Sequence, residues 1–149
     1  MVEEENSMPY IMDGRLVKNF TLAEMTNKQA ADNIKLALTP EVVEHAEMMQ
    51  ELRDCYGKPL NVSSWYRTKA FNKKCGGALN SAHLDGRATD INNIDTKDNE
   101  AVKRFTYWWQ AICTMHDKIG GVEVYKWGMH FDSHSDKFGC KAFRYKDNR

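Results

Sequence analysis

The chain has 149 residues, enough for one domain with a real core. Its 21 basic and 21 acidic residues cancel to a formal net charge of zero, which opposes a general attraction to nucleic acid or anionic membrane. No apolar run approaches the ~20 residues of a membrane span, so no membrane insertion is expected.

The opening Met-Val-Glu-Glu-Glu-Asn is acidic and lacks the basic start and apolar run of a signal peptide. Synthesis in the cytoplasm without a Sec route is the expectation. Residues 1–18 read as a polar N-terminal tail with one short strand at Tyr10–Met12, and residues 19–149 as a single domain. Thr21-Leu-Ala-Glu24 is a capping box that predicts a short helix from Leu22 to about Asn27. Residues 27–38 fit either helix or loop. Thr39-Pro40 predicts the start of a longer helix, with Val42, Val43, Ala46, Met49, Leu52 and Tyr56 at helical spacing and Gly57 as its stop. His45 lies on this helix without a ligand partner nearby and reads as surface or packing.

Lys58 to Ser64 reads as a strand, and Lys73 to Gly77 as a loop. After polar, turn-like residues 92–98, a helix is predicted from about Asn99 to Lys118. Its broad apolar stripe includes Trp108, Trp109 and Met115, and Gly120-Gly121 stops it. Two adjacent tryptophans can stack on a sugar or base, but helical spacing puts this stripe in the core. Val122–Tyr125 and Met129–His134 read as a strand pair around Lys126-Trp-Gly128. The basic, aromatic tail from Lys137 allows one more edge strand. Strands cluster in the second half with helices before and between them. The expected fold class is α+β, a small, mostly antiparallel sheet with helices packed on it. Four widely spaced cysteines with no Cys-x-x-Cys pair argue against a cysteine zinc site and read as reduced thiols.

The chemistry concentrates in Ser81-Ala-His-Leu-Asp-Gly-Arg-Ala-Thr-Asp90. Gly86 suits a sharp turn between His83 and Asp90. If Arg87 to Ile91 is a strand, Ala88 and Asp90 share a face, and the small Ala88 leaves room for something bulky there. His130 lies far downstream in Gly-Met-His-Phe-Asp. Two imidazoles and one carboxylate make a three-ligand zinc set with a fourth position left for water. On a regular strand His130, Asp132 and His134 would also face one way.

The segments Ser64-Trp-Tyr-Arg67, Asn72, Gly76-Gly77-Ala78, Ser81-x-His83-x-x-Gly86-x-Ala88-x-Asp90 and His130-Phe-Asp132 together resemble the zinc D-alanyl-D-alanine carboxypeptidase family. Its wider group includes lysostaphin-type endopeptidases, vancomycin-resistance dipeptidases and the hedgehog signalling domain. The resemblance runs from about Phe20 to Asp132. It implies Zn2+ as cofactor with His83, Asp90 and His130 as ligands, and Arg67 and Ser81 as substrate-side residues. Arg67 matches the arginine that holds a substrate carboxylate or a developing oxyanion, and Ser81 and Asp132 match positions that flank the ligands. Many family members place an acidic or histidine base a few residues before the second zinc histidine. Here Tyr125, Lys126 and Trp127 fill that window and Glu123 lies farther back. Asp132 and Glu123 are the candidate bases, Tyr125 shares the face of Glu123, and His134 is a weaker candidate.

The function implied is a zinc metallopeptidase that hydrolyses amide bonds in bacterial peptidoglycan stem peptides. Zinc-activated water, an acidic base and Arg67 would do the chemistry. Compact members without a signal peptide are often bacteriophage endolysins, which act on the wall after release, and this favours an endopeptidase over a carboxypeptidase. The alternative is a catalytically silent, zinc-stabilised binding or structural module, such as a phage particle component.

Overall fold

In a computed structural model, which describes residues 14–26 and 39–149, the capping signals open the helices they predict. The segments 1–13 and 27–38, including the strand expected at Tyr10–Met12, lie outside the described residues. A short ribbon of β1 (Arg15–Val17) and β2 (Phe20–Thr21) leads into α1 (Leu22–Met25), where Thr21 and Glu24 form the predicted capping box. The boundary read at residue 18 falls inside this ribbon, and Leu16 already belongs to the hydrophobic core. Helix α2 (Pro40–Tyr56) begins at Thr39, whose hydroxyl accepts from the Val42 N–H, and ends on Gly57.

The rest of the chain builds one sheet. Strand β3 (Val62–Ser64) is shorter than the sequence suggests. It is followed by α3 (Lys69–Lys74), capped by Thr68; only its last two residues, Lys73 and Lys74, fall in the stretch read as loop. Then come β4 (Ala88–Ile91), α4 (Asn99–Met115), β5 (Gly121–Tyr125), β6 (Gly128–Asp132) and β7 (Arg144–Asp147). The five strands lie in the order β3-β4-β6-β5-β7, all antiparallel except β5 beside β7. The β5–β6 pair is the predicted hairpin, and β7 is the edge strand expected in the tail. The observed fold is α+β.

Period-two alternation gives the central strands two faces. Thr89, Ile91, Val122, Val124, Met129 and Phe131 point to the core side and are fully buried. Helices α2 and α4 cover that side. Trp109 packs edge-on against Phe131, and Phe105 tilts against the same ring. Met115, placed by periodicity in the apolar stripe, is instead 81% exposed because the helix ends there. The four cysteines are unpaired. His45 is a packing residue and not a surface one. Its ring nitrogens meet Ser133 Oγ at 2.8 Å and Thr89 Oγ1 at 3.0 Å, between the Trp65 and Trp109 rings. Burial pushes its pKa down to about 3, so it stays neutral.

The two long helices are clasped by charge. His116, just past α4, meets Glu44 Oε2 and Glu51 Oε2 of α2, each at 2.9 Å, and Lys118 meets Glu44 Oε1 at 3.1 Å. Burial alone would lower the His116 imidazole, but hydrogen bonds and charges from the two glutamates outweigh it and hold it above the usual 6.5. Burial would raise Glu44, yet His116 and Lys118 hold it below the usual 4.5. A raised histidine stabilises fully below its unfolded value and loses that contribution as pH rises through its folded value. A lowered glutamate stabilises above its unfolded value and loses the contribution as pH falls. The clasp is therefore strongest between about pH 4.5 and 6.5. Melting curves of His116→Gln should show a larger loss near about pH 5.5 than near about pH 9. An equal loss at both values would contradict this.

Candidate metal centre

The face of the sheet turned away from the helices carries the polar residues. In the pairing register, Asp90 of β4 stands opposite His130 of β6, and His130 stands opposite Glu123 of β5. Ser64 extends this row on the β3 side and Lys146 on the β7 side. Five residues from five strands thus lie abreast on one face. The next row on this face is Ala88, Asp132, Gly121 and Arg144. A cleft of about 500 Å³ opens above these rows, and Arg67, His83, Tyr125 and Trp127 contribute to its walls.

His83 reaches the row from a single 3-10 turn, Ala82–Asp85. The Ser81 hydroxyl caps that turn by accepting from the His83 N–H at 3.1 Å. Gly86 ends it at φ 70°, a left-handed conformation that glycine adopts without a side-chain penalty. The sharp reversal read in the sequence is therefore present, and it sets His83 over β4.

Among the described residues, His83, Asp90 and His130 form the group that could hold a metal ion, with ligand atoms within 4.8 Å of one another. Asp90 Oδ1 lies 3.2 Å from His83 Nε2 and 2.9 Å from His130 Nδ1. The outer nitrogen of each ring is already committed. His83 Nδ1 lies 2.6 Å from the Trp65 carbonyl, which can only accept, so this nitrogen carries a proton and Nε2 is the one turned to Asp90. His130 Nε2 lies 3.0 Å from Asp132 Oδ2, which leaves Nδ1 on the Asp90 side. Imidazoles oriented by a carbonyl and a carboxylate, converging on a third carboxylate, fit zinc in donor type and in tautomer. Asp90 Oδ2 faces away, toward Arg67 Nη2 at 3.4 Å.

Charge in this cluster is tightly balanced. Burial would raise Asp90, but the His83 charge and hydrogen bonds from both histidines hold it well below the usual carboxylate range. Burial would likewise raise Asp132, and His130, Arg144 and Ser135 bring it down to about 2. His130 responds in the opposite sense: burial would lower it, and Asp132 and Asp90 raise it to about 10.

The structure separates the two candidate bases. Asp132 has a side chain that is 0% exposed and does not line the cleft. Its Oδ1 accepts from Ser135 Oγ at 2.7 Å, and its Oδ2 meets His130 and Arg144. Glu123 lines the cleft, accepts from the Tyr125 hydroxyl at 2.5 Å and meets Arg144 Nη2 at 3.0 Å. Burial, then the hydrogen bond to Glu123, pushes the Tyr125 phenol well above its usual value, so it remains a donor. His134 is not brought to the site, because β6 ends at Asp132 and its ring turns to Asp85 at 3.2 Å.

Arg67 is held at the cleft wall. Its Nε donates to Ser64 Oγ at 2.9 Å and its Nη1 to Asn72 Oδ1 at 3.2 Å. Asn72 is fixed in turn by donating to the Ala78 carbonyl at 2.8 Å. The quoted segments Ser64-Trp-Tyr-Arg67, Asn72 and Gly76-Gly77-Ala78 therefore form one support for the arginine and for Asp90.

A sequence model of the family described as Peptidase M15 matches residues 18–127. The chain belongs to the peptidase M15 family. M15 peptidases are zinc-dependent and act on peptidoglycan peptides, so this chain is a zinc peptidase with a peptide substrate. No curated protein matches it. The match stops before His130, which the sheet register sets between Asp90 and Glu123. Sequence reasoning missed two contributors. The Trp65 carbonyl is backbone and has no residue-type signal, and Arg144 comes from an edge strand paired in parallel with β5. No helix among the described residues is long and apolar enough to cross a membrane.

Proposed function

We propose that this protein is a zinc endopeptidase that cuts an internal amide bond of peptidoglycan stem peptides, with Glu123 as the general base. The observation that carries the reading is the row Asp90, His130, Glu123 on three adjacent strands, which sets a cleft-lining carboxylate beside the metal ligands. His83 through Nε2, Asp90 and His130 through Nδ1 would hold the zinc. Bound there, zinc supplies Lewis acidity that polarises the scissile carbonyl and brings the pKa of water toward ~7.

The side chains do the rest. Glu123 takes a proton from the attacking water and returns it to the leaving amine nitrogen. Tyr125, protonated and tied to Glu123, keeps that carboxylate aimed into the cleft. Arg67 spends three of its N–H groups on Ser64, Asn72 and Asp90, and the other two can meet the oxyanion of the tetrahedral intermediate. Asp132 orients His130 from behind, and Ser81 orients His83.

The endopeptidase choice rests on the resemblance to compact wall-lysing enzymes. Arg67 and Arg144 each face a carboxylate inside the site, but Lys146 also lines the cleft, so the choice is decided on substrates. The biological setting, an endolysin-type enzyme of a bacteriophage reaching the wall after release, is part of the same proposal and rests on the resemblance. Synthetic stem peptides test the choice. Blocking the C-terminus as an amide should leave the cleavage rate within about threefold, and a much larger loss would make the enzyme a carboxypeptidase.

A further inference from the structure

We infer that Arg144 is a positioning residue of this site, coupling the carboxylate that orients His130 to the proposed base. The inference rests on the ligand and base assignments above and adds a residue beyond the matched span 18–127.

Arg144 lies on β7, opposite Gly121, in the same row as Asp132. Its Nη2 meets Asp132 Oδ2 at 2.5 Å and Glu123 Oε2 at 3.0 Å. One nitrogen therefore stands between the carboxylate behind His130 and the proposed base. The fold reserves the path for it. A Cβ on Gly121 would lie 2.8 Å from the Arg144 carbonyl and 2.9 Å from Ser135 Oγ, closer than a real side chain allows. The Arg144 backbone N–H donates to the Gly120 carbonyl at 3.0 Å, and its guanidinium stacks 5.5 Å from the Phe138 ring centre.

The consequence differs for the two carboxylates. Asp132 is fully buried, so without Arg144 its charge loses a cationic partner and the oxygen that holds His130 is free to shift. That loss reaches the metal. Glu123 is partly exposed, so without Arg144 it loses its fixed direction. That loss reaches turnover. Lys103, on α4 behind the sheet with a side chain 78% exposed, serves as a charge control.

The test is zinc affinity, read by competition with a chromophoric chelator on folded wild-type and variant proteins. Arg144→Gln should weaken zinc binding about 10- to 100-fold, and Lys103→Gln should not. In an Asp132→Asn background the Arg144→Gln effect should largely disappear, because its route to the metal is gone. With a cleavable peptide, kcat should fall while KM holds, and Arg144→Lys should recover part of both readouts. If Arg144→Gln does not fold, Arg144→Lys carries the test with an expected loss of about threefold or more in zinc affinity. Wild-type affinity in the folded arginine variants overturns the inference and leaves the peptidase reading standing. A wild type that binds no zinc removes the metal assignment itself.

Discussion

Glu123→Gln is expected to lower peptide hydrolysis by roughly 10²- to 10⁴-fold, the usual contribution of a positioned base, while zinc stays bound. The amide is close in shape to the carboxylate and can still accept from the Tyr125 hydroxyl and from Arg144. The three proposed ligands and the Asp132 contact to His130 are untouched. What disappears is a group able to take a proton. Turnover measured together with zinc content per chain checks this. Normal turnover in a zinc-loaded Glu123→Gln protein would move the base elsewhere, and full loss of zinc would make Glu123 part of the metal site.

Asp90→Ala carries the second large effect. Its carboxylate is the point on which both histidines converge, and its other oxygen faces Arg67. Removing it leaves two imidazoles whose free nitrogens have lost their common partner. Zinc affinity should fall by more than about 100-fold, beyond the loss expected for a merely orienting group, and hydrolysis should fall with it. The backbone ladder of β4 does not depend on that side chain, so the fold should persist. A ligand that binds only the folded state raises the melting temperature. Zinc should therefore shift the melting curve of the wild type and leave that of Asp90→Ala in place. A wild-type-sized shift in the variant would exclude Asp90 as a ligand.

The parts of this fold that were legible in the sequence are those set by local chemistry. Thr21 with Glu24, Thr39 with Pro40, and Gly57 mark helix ends because capping is satisfied within a few residues. His83, Gly86 and Asp90 lie within eight residues, so a turn and a short strand suffice to bring them together. Helix α3 was missed because Lys69-Ala-Phe-Asn-Lys-Lys lacks an apolar stripe and shows only its Thr68 cap. The roles of Asp132 and Glu123 stayed open for a geometric reason. Asp132 shares a face with His130 by alternation, but β7 and Ser135 close over it, whereas Glu123 is placed by cross-strand register. Register with a parallel edge strand depends on the whole sheet, and Arg144 was invisible for the same cause.

The most direct test of the account is digestion of purified peptidoglycan, followed by mass spectrometry of the released fragments. The wild-type protein should release stem-peptide fragments. A strong chelator should stop the release, zinc should restore it, and zinc-supplied Glu123→Gln and Asp90→Ala should yield almost none. Fragment masses would then identify the bond. A folded wild type that carries one zinc per chain yet releases nothing from several wall types would contradict the peptidase account and make the domain a zinc-stabilised binding module.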